Sequence, residues 1–238
     1  MIKFHHREFE LAVREDINNF DLPIEEPDLL QVEHLDCSNF DFLHEDLETL
    51  EKCKALKTLG INIGMIGLDF LSSLPMLEDL YLVYWGRAVD FRSFSCLHKL
   101  KSLFVSGGDY SSIPFVETDS LTTMKNLSSL TFHEFGAVDL SFLEYMPWLE
   151  EFCCGWANEV SNISSIGRLV HLKSLSLMDI RLDNLDFLDN LPDTVELDLS
   201  VKIAKDGYAP EKLHRFYKSE IRSAFEIGQY IEVEVEPK

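Results

Sequence analysis

The sequence predicts an α/β solenoid, a stack of short parallel strands that each return through a helical or irregular segment. Three observations carry that expectation. One pattern recurs eight times: an apolar residue, two variable ones, Leu or Phe, one variable, then an apolar residue, as in Leu56-Lys57-Thr58-Leu59-Gly60-Ile61 and Leu172-Lys173-Ser174-Leu175-Ser176-Leu177. Its central residues fall at 35, 59, 80, 103, 130, 152, 175 and 197, in steps of 24, 21, 23, 27, 22, 23 and 22. A second motif keeps phase with the first, in Asp69-Phe70-Leu71-Ser72-Ser73-Leu74-Pro75, Ser141-Phe142-Leu143-Glu144-Tyr145-Met146-Pro147 and Asp186-Phe187-Leu188-Asp189-Asn190-Leu191-Pro192. A fixed period of this length marks a repeat that cannot bury its apolar face alone and builds one core by stacking.

Each element follows from that phase. Residues 1–30 are expected to cap the first end of the stack, which would otherwise expose an open core. Residues 31–200 form the solenoid, with the strands on its concave side; eight of them span roughly 34 Å. In the return segments Asp or Ser is placed to cap a short helix, Phe and the residue four later share its buried face, and Pro stops it. The 27-residue step holds a longer loop, residues 106–121, where Tyr110 and Phe115 are candidate contact residues. Residues 201–238 read as a second cap: a helix from Ala209-Pro210-Glu211 to about Phe225, then a strand, Tyr230 to Glu236, whose Glu row would discourage further pairing.

These motifs resemble the leucine-rich repeat (LRR), in the roughly 22-residue class typified by bacterial internalins. The resemblance covers about residues 29–200. It is strongest at 175–191, where Leu175, Leu177, Leu182, Leu185, Leu188 and Leu191 take that class's apolar positions. It implies a curved right-handed coil with a parallel β-sheet on the concave face. One departure concerns the Asn that the family places five residues after the central Leu to satisfy the turn. Here those positions are Phe40, Gly64, Trp85, Gly108, Phe135, Ala157, Ile180 and Lys202, so the turn must satisfy its backbone another way.

Charge narrows the function. The chain has 42 acids and 21 bases, a net charge of −21. The first 54 residues carry 15 acids and 5 bases, whereas residues 201–238 carry 7 of each. Such a field repels nucleic acid and anionic lipid and favours a basic protein partner. No apolar run is long enough to span a membrane or to form a signal peptide. Five cysteines without C-x-x-C spacing suit a reducing, cytoplasmic setting.

Strand alternation names the exposed side chains. With the central residue inward, its neighbours at −1, +1 and +3 line the concave face. None of those 24 positions is Lys or Arg. The candidates for partner binding there are Asp36, Asp79, Tyr81, Phe104, His133, Glu151, Glu196 and Asp198, acids to attract a cationic surface and rings to anchor it. Trp156, just past its strand, joins the loop candidates. Trp85 occupies the inward-turn register and is expected in the core. Cys153 is expected to face outward without a His in fixed relation to it, and His34 and His133 lie too far apart to share a metal. No catalytic constellation, cofactor motif or metal site is expected. The reading is a non-catalytic interaction module, in its concrete form an inhibitor or immunity protein that neutralises a cationic toxin or nuclease. The alternative is a scaffold or regulatory subunit that binds through its convex side, the 106–121 loop or the C-terminal segment.

Overall fold

A computed structural model describes residues 2–64, 66–108, 113–157 and 159–238. The chain forms two compact units, Met1–Ser106 with Phe115–Leu127 and Gly107–Pro114 with Ser128–Lys238.

The first unit opens with helix α1 (Arg7–Asp16), which buries Phe9 and Val13. The Phe9 ring meets Phe4 and Phe42 edge-on, at 5.3 and 5.0 Å. The N–H groups of His5 and His6 both donate to the carboxylate of Asp46, which is fully buried. Two single-turn helices follow, α2 (Glu26–Leu29) and α3 (Leu47–Leu50). Strands β1 (His34–Asp41), β2 (Thr58–Ile63), β3 (Asp79–Tyr84) and β5 (Ser102–Ser106) pair in parallel, in that order. Two short strands of the return layer, β4 (Val89–Asp90) and β6 (Phe115–Val116), pair in parallel with each other.

The second unit repeats the plan. Strands β7 (Ser129–His133), β9 (Glu151–Gly155), β11 (Ser174–Leu182) and β12 (Glu196–Ala204) pair in parallel. The return strands β8 (Ala137–Asp139) and β10 (Glu159–Ser161) pair beside them. The central residues of all eight copies are buried, each at 2% exposure or less. Each buried leucine contributes about 1.5–3 kcal/mol relative to an exposed one.

The return segments are short 3₁₀ helices, for instance Leu68–Ser73, Ser141–Tyr145 and Asp186–Asn190. The pairs Phe70 with Leu74, Phe142 with Met146 and Phe187 with Leu191 are buried as the motif predicts. The capping expectation needs correction. Asp69, Ser141 and Asp186 sit inside their first turns and do not cap them. Ser141 N–H donates instead to Asp139 and Asp186 N–H to Asn184, two residues earlier, whereas at Phe91–Phe94 Asp90 caps as expected, accepting from the Arg92 N–H. That two-residue reach is the local Asx geometry of short polar side chains.

Three turns that follow strands carry a left-handed residue other than asparagine. In the second unit Glu134, Trp156 and Asp179, four residues after their central residue, take left-handed conformations with φ of 62°, 53° and 50°. Two of them extend the parallel ladder with their own amides: Glu134 N–H donates to Gly155 O at 3.0 Å and Trp156 N–H to Met178 O at 2.8 Å. The left-handed residue also inverts the in–out alternation. The next side chain therefore turns inward, and Phe135, Ala157 and Ile180 are core residues. In β3 no such residue intervenes. Alternation runs on through buried Leu80, Leu82 and Tyr84, so Trp85 points outward and is 46% exposed, contrary to the sequence expectation.

The C-terminal segment differs from its prediction. Helix α4 spans only Pro210–His214. Residues expected to continue it form strand β13 (Ser219–Ile227), which pairs antiparallel with β14 (Tyr230–Pro237). Gly228, at φ 59°, and Gln229 make a two-residue hairpin turn between Ile227 and Tyr230. β14 in turn lies antiparallel to β12, so its Glu row does not stand at an edge.

Candidate functional site

In the first unit, one register row across the open sheet face reads Asp36, Gly60, Tyr81, Phe104, and the row before it His34, Thr58, Asp79, Ser102. All of these except His34, with Ser38, line a depression of about 400 Å³. The rings of Tyr81 and Phe104 stack at 4.2 Å, 10° from parallel. Four of the predicted contact residues, Asp36, Asp79, Tyr81 and Phe104, thus share one hollow.

Its carboxylates are ready to accept. Asp36 Oδ1 takes hydrogen bonds from the Ser38 hydroxyl at 2.6 Å and the Ser38 amide at 3.0 Å. Those bonds hold the Asp36 carboxyl below its ordinary value, so it is ionised at neutral pH. Asp36 Oδ2 and the whole Asp79 carboxylate make no hydrogen bond or ion pair among the described residues. Gly60 forms the floor: a side chain there would put Cβ 2.7 Å from Asp36 Oδ1. His34, outside the hollow, has its Nδ1 3.1 Å from the Thr58 hydroxyl.

The second unit treats its polar groups differently. His133 Nε2 lies 3.2 Å from Cys153 Sγ, which corrects the expectation that no His stands near that thiol. The pairing arises because His133 and Cys153 are diagonal neighbours: Thr131 is opposite Cys153, and His133 is two residues further on. Burial pushes the Cys153 thiol up and the His133 imidazole down. Both groups are therefore neutral at neutral pH, and the pair is not an activated thiolate. Trp156 stands edge-on to His133, centroids 4.8 Å apart. Ser176 donates to Asp198 at 3.2 Å, and Glu196 is ion-paired with Lys218 at 3.2 Å. Glu151 is exposed and forms no side-chain bond among the described residues.

Of the loop candidates, Phe115 sits in β6 and packs edge-on against buried Phe91 at 5.2 Å, in the return layer rather than on the open face. Tyr110 lies outside the described residues. Trp85, not foreseen as a surface residue, donates from Nε1 to Asn62 Oδ1 at 2.8 Å and rests its ring on Gly64.

Basic side chains gather where the strands begin. Lys57 pairs with Glu33 at 2.6 Å, Lys101 with Glu78 at 2.5 Å and Lys173 with Glu150 at 2.7 Å. Each lysine thus reaches back to the preceding repeat, and its charge is matched there. Among the described residues no three His, Cys, Asp or Glu side chains form a metal-binding group, and no helix is long and apolar enough to cross a membrane.

No protein-family model and no curated protein sequence matches the chain. Solved structures do. Internalin C2 from Listeria monocytogenes superposes with a TM-score of 0.53 at 15% identity, covering 83% of this chain and 92% of that one. A leucine-rich-repeat protein of Leptospira interrogans gives 0.56 at 23% identity over 70% of this chain. The plant peptide hormone receptor RGFR1, in complex with RGF2, gives 0.54 at 18% identity over 76%. The chain spans 42% of the Leptospira protein and 30% of the plant receptor. Repeat phase, inward central residues, parallel strands and these likenesses agree: the fold of this chain is the leucine-rich-repeat solenoid.

Proposed function

We propose that the chain is a non-catalytic protein-binding module of the cytoplasm that receives a basic protein on its open sheet face. The observation that supports this most directly is the hollow of the first unit, where two accepting carboxylates stand beside a stacked aromatic pair. Cations approach such a surface quickly because the surrounding charge is −21, and rings supply affinity that charge alone does not. The plant receptor of the same fold was solved with RGF2, which agrees with a binding role. In its concrete form the module neutralises a cationic toxin or nuclease, as an immunity protein or inhibitor. No small molecule, cofactor or nucleic acid is needed for this role.

The test is capture from lysate of the native cells by the full chain, beside the Asp36→Lys, Asp79→Lys double variant. The expected result is a basic protein retained at low salt, released at high salt and lost with the variant. Capture that ignores both salt and the double substitution removes this reading and returns the binding surface to the return layer or the C-terminal hairpin.

A further inference from the structure

We propose that Trp85 is a second contact point on the open face of the first unit, a fixed ring platform that receives a cationic side chain of the partner on its outer face, beside Asp41. This deepens the reading of a basic partner and rests on it.

Strand parity puts the indole there. Asp79, Tyr81, Val83 and Trp85 alternate outward along β3, so Trp85 continues the line that begins in the hollow. The ring leans across to β2. A Cβ on Gly64 would lie 2.7, 2.8 and 2.9 Å from Cη2, Cζ3 and Cζ2 of the indole. Approach to the ring edge would leave one of these atoms much nearer than its neighbours; the near-equal distances place the glycine under the face. At the other end of the ring, Nε1 donates to Asn62 Oδ1 at 2.8 Å and fixes its rotation. One face thus lies on backbone and one edge is tied down, so the 46% exposure of Trp85 belongs to the outer face and the rim. Among the described residues no other ring and no cation stacks on it.

Charge decides the occupant. Asp41 stands opposite Asn62 in the register of β1 and β2, on the same face of the sheet. It is exposed, and its carboxylate makes no hydrogen bond or ion pair among the described residues. β1 lies one strand spacing, about 4.8 Å, beyond the strand that the indole covers. A cation on the outer face is therefore held by the ring and attracted by a nearby carboxylate. An apolar side chain would gain the ring contact and nothing from Asp41, and an anion would be repelled. The first 54 residues, with 15 acids and 5 bases, favour the same sign of ligand. Indole is the strongest aromatic platform for a cation, and a ring already held in place loses little freedom when it is covered. The second unit has no counterpart. Its left-handed residues turn Phe135, Ala157 and Ile180 into the core, and Trp156 packs edge-on to His133.

The experiment titrates the isotopically labelled full chain with acetyl-Gly-Gly-Lys-Gly-Gly-amide and with its norleucine counterpart, which keeps the chain and lacks the charge. It follows the indole signal of Trp85 and the backbone amide signals. The expected result is saturable shifts at Trp85 and Gly64, with the lysine peptide bound about tenfold more tightly than the neutral one. Trp85→Ala abolishes that preference, and Asp41→Asn lowers it about threefold. Both positions are exposed, and unchanged amide signals elsewhere verify that the variants fold. Equal affinity for the two peptides, or a lysine preference that survives Trp85→Ala, overturns the platform. Shifts confined to Gly60 and Tyr81 also overturn it while leaving a basic partner in place. No shift on the open face with either peptide overturns both readings.

Discussion

The two units share a backbone plan and differ in how many exposed positions they commit to neighbours. In the first, the open face keeps Asp79 and one oxygen of Asp36 uncommitted beside the Tyr81–Phe104 stack. In the second, Cys153 bonds His133, Ser176 bonds Asp198 and Glu196 pairs with Lys218 of the C-terminal segment, while the Glu151 side chain stays unbonded among the described residues. The turns differ as well. Phe135, Ala157 and Ile180 are drawn into the core behind left-handed residues, while Trp85 at the corresponding place stays outside. A repeat therefore does not dictate the chemistry of its surface. Strand parity supplies slots, and the residue placed in each decides whether it is spent on a neighbour or kept for a visitor.

The contrast between adjacent positions is tested most severely by the thiols. Burial pushes Cys37, Cys53 and Cys154 up to about 12, whereas Cys153 and Cys96 are partly exposed. Alkylation of the folded chain, mapped by peptide mass, should label Cys153 at least roughly a hundredfold faster than Cys154, which must wait for local opening. Comparable rates would mean that β9 does not alternate as described. Next in size are the turns. Phe135→Ala should destabilise the protein by about 3–5 kcal/mol in denaturant titrations, because it empties a fully buried site. Trp85→Ala should cost less than about 1 kcal/mol, since that ring is half in solvent. Similar losses for the two would erase the distinction between the turns.

Smaller effects belong to the strand entrances and to His133. Lys57→Ala or Lys173→Ala should change stability by about 0.2–1 kcal/mol, and less in high salt, because these pairs are solvent-exposed. The His133 imidazole should titrate below the ordinary histidine value of 6.5, measured by NMR. A histidine with a lowered native value is charged less readily when folded than when unfolded. Its contribution to stability is complete above 6.5 and is lost as pH falls from there towards the native value. His133→Gln should flatten that part of the pH profile; an unchanged profile would show that His133 is not held neutral by burial.

Much of the fold was legible because alternation is a local property. Leu59 or Leu175 declares its direction from the residues beside it, and the Asp36–Gly60–Tyr81–Phe104 row follows once the repeats are phased. What escaped the sequence reading involved a change of parity or a partner on another strand. Nothing in Glu134 or Asp179 announces a left-handed backbone, so the inward turn of Phe135 and Ile180 and the outward turn of Trp85 were hidden. The Cys153–His133 pair was accessible in principle, through the 22-residue step between their repeats, but only by comparing diagonals. The C-terminal hairpin left a signal that helix-opening Pro210 obscured: apolar and charged residues trade places from Phe225 to Ile227, and Gly228-Gln229 separates that run from Tyr230.

The hairpin also bears on how long such a molecule can become. Parallel repeats offer every newcomer the same docking polarity, and nothing in their own geometry limits the count. β14 runs against β12 and β13 against β14, so the free edge of β12 is filled while the outer strand β13 points the same way as the repeats. Duplication of a middle repeat could lengthen the array from within, whereas a strand seeking the edge of β12 finds β14 already there.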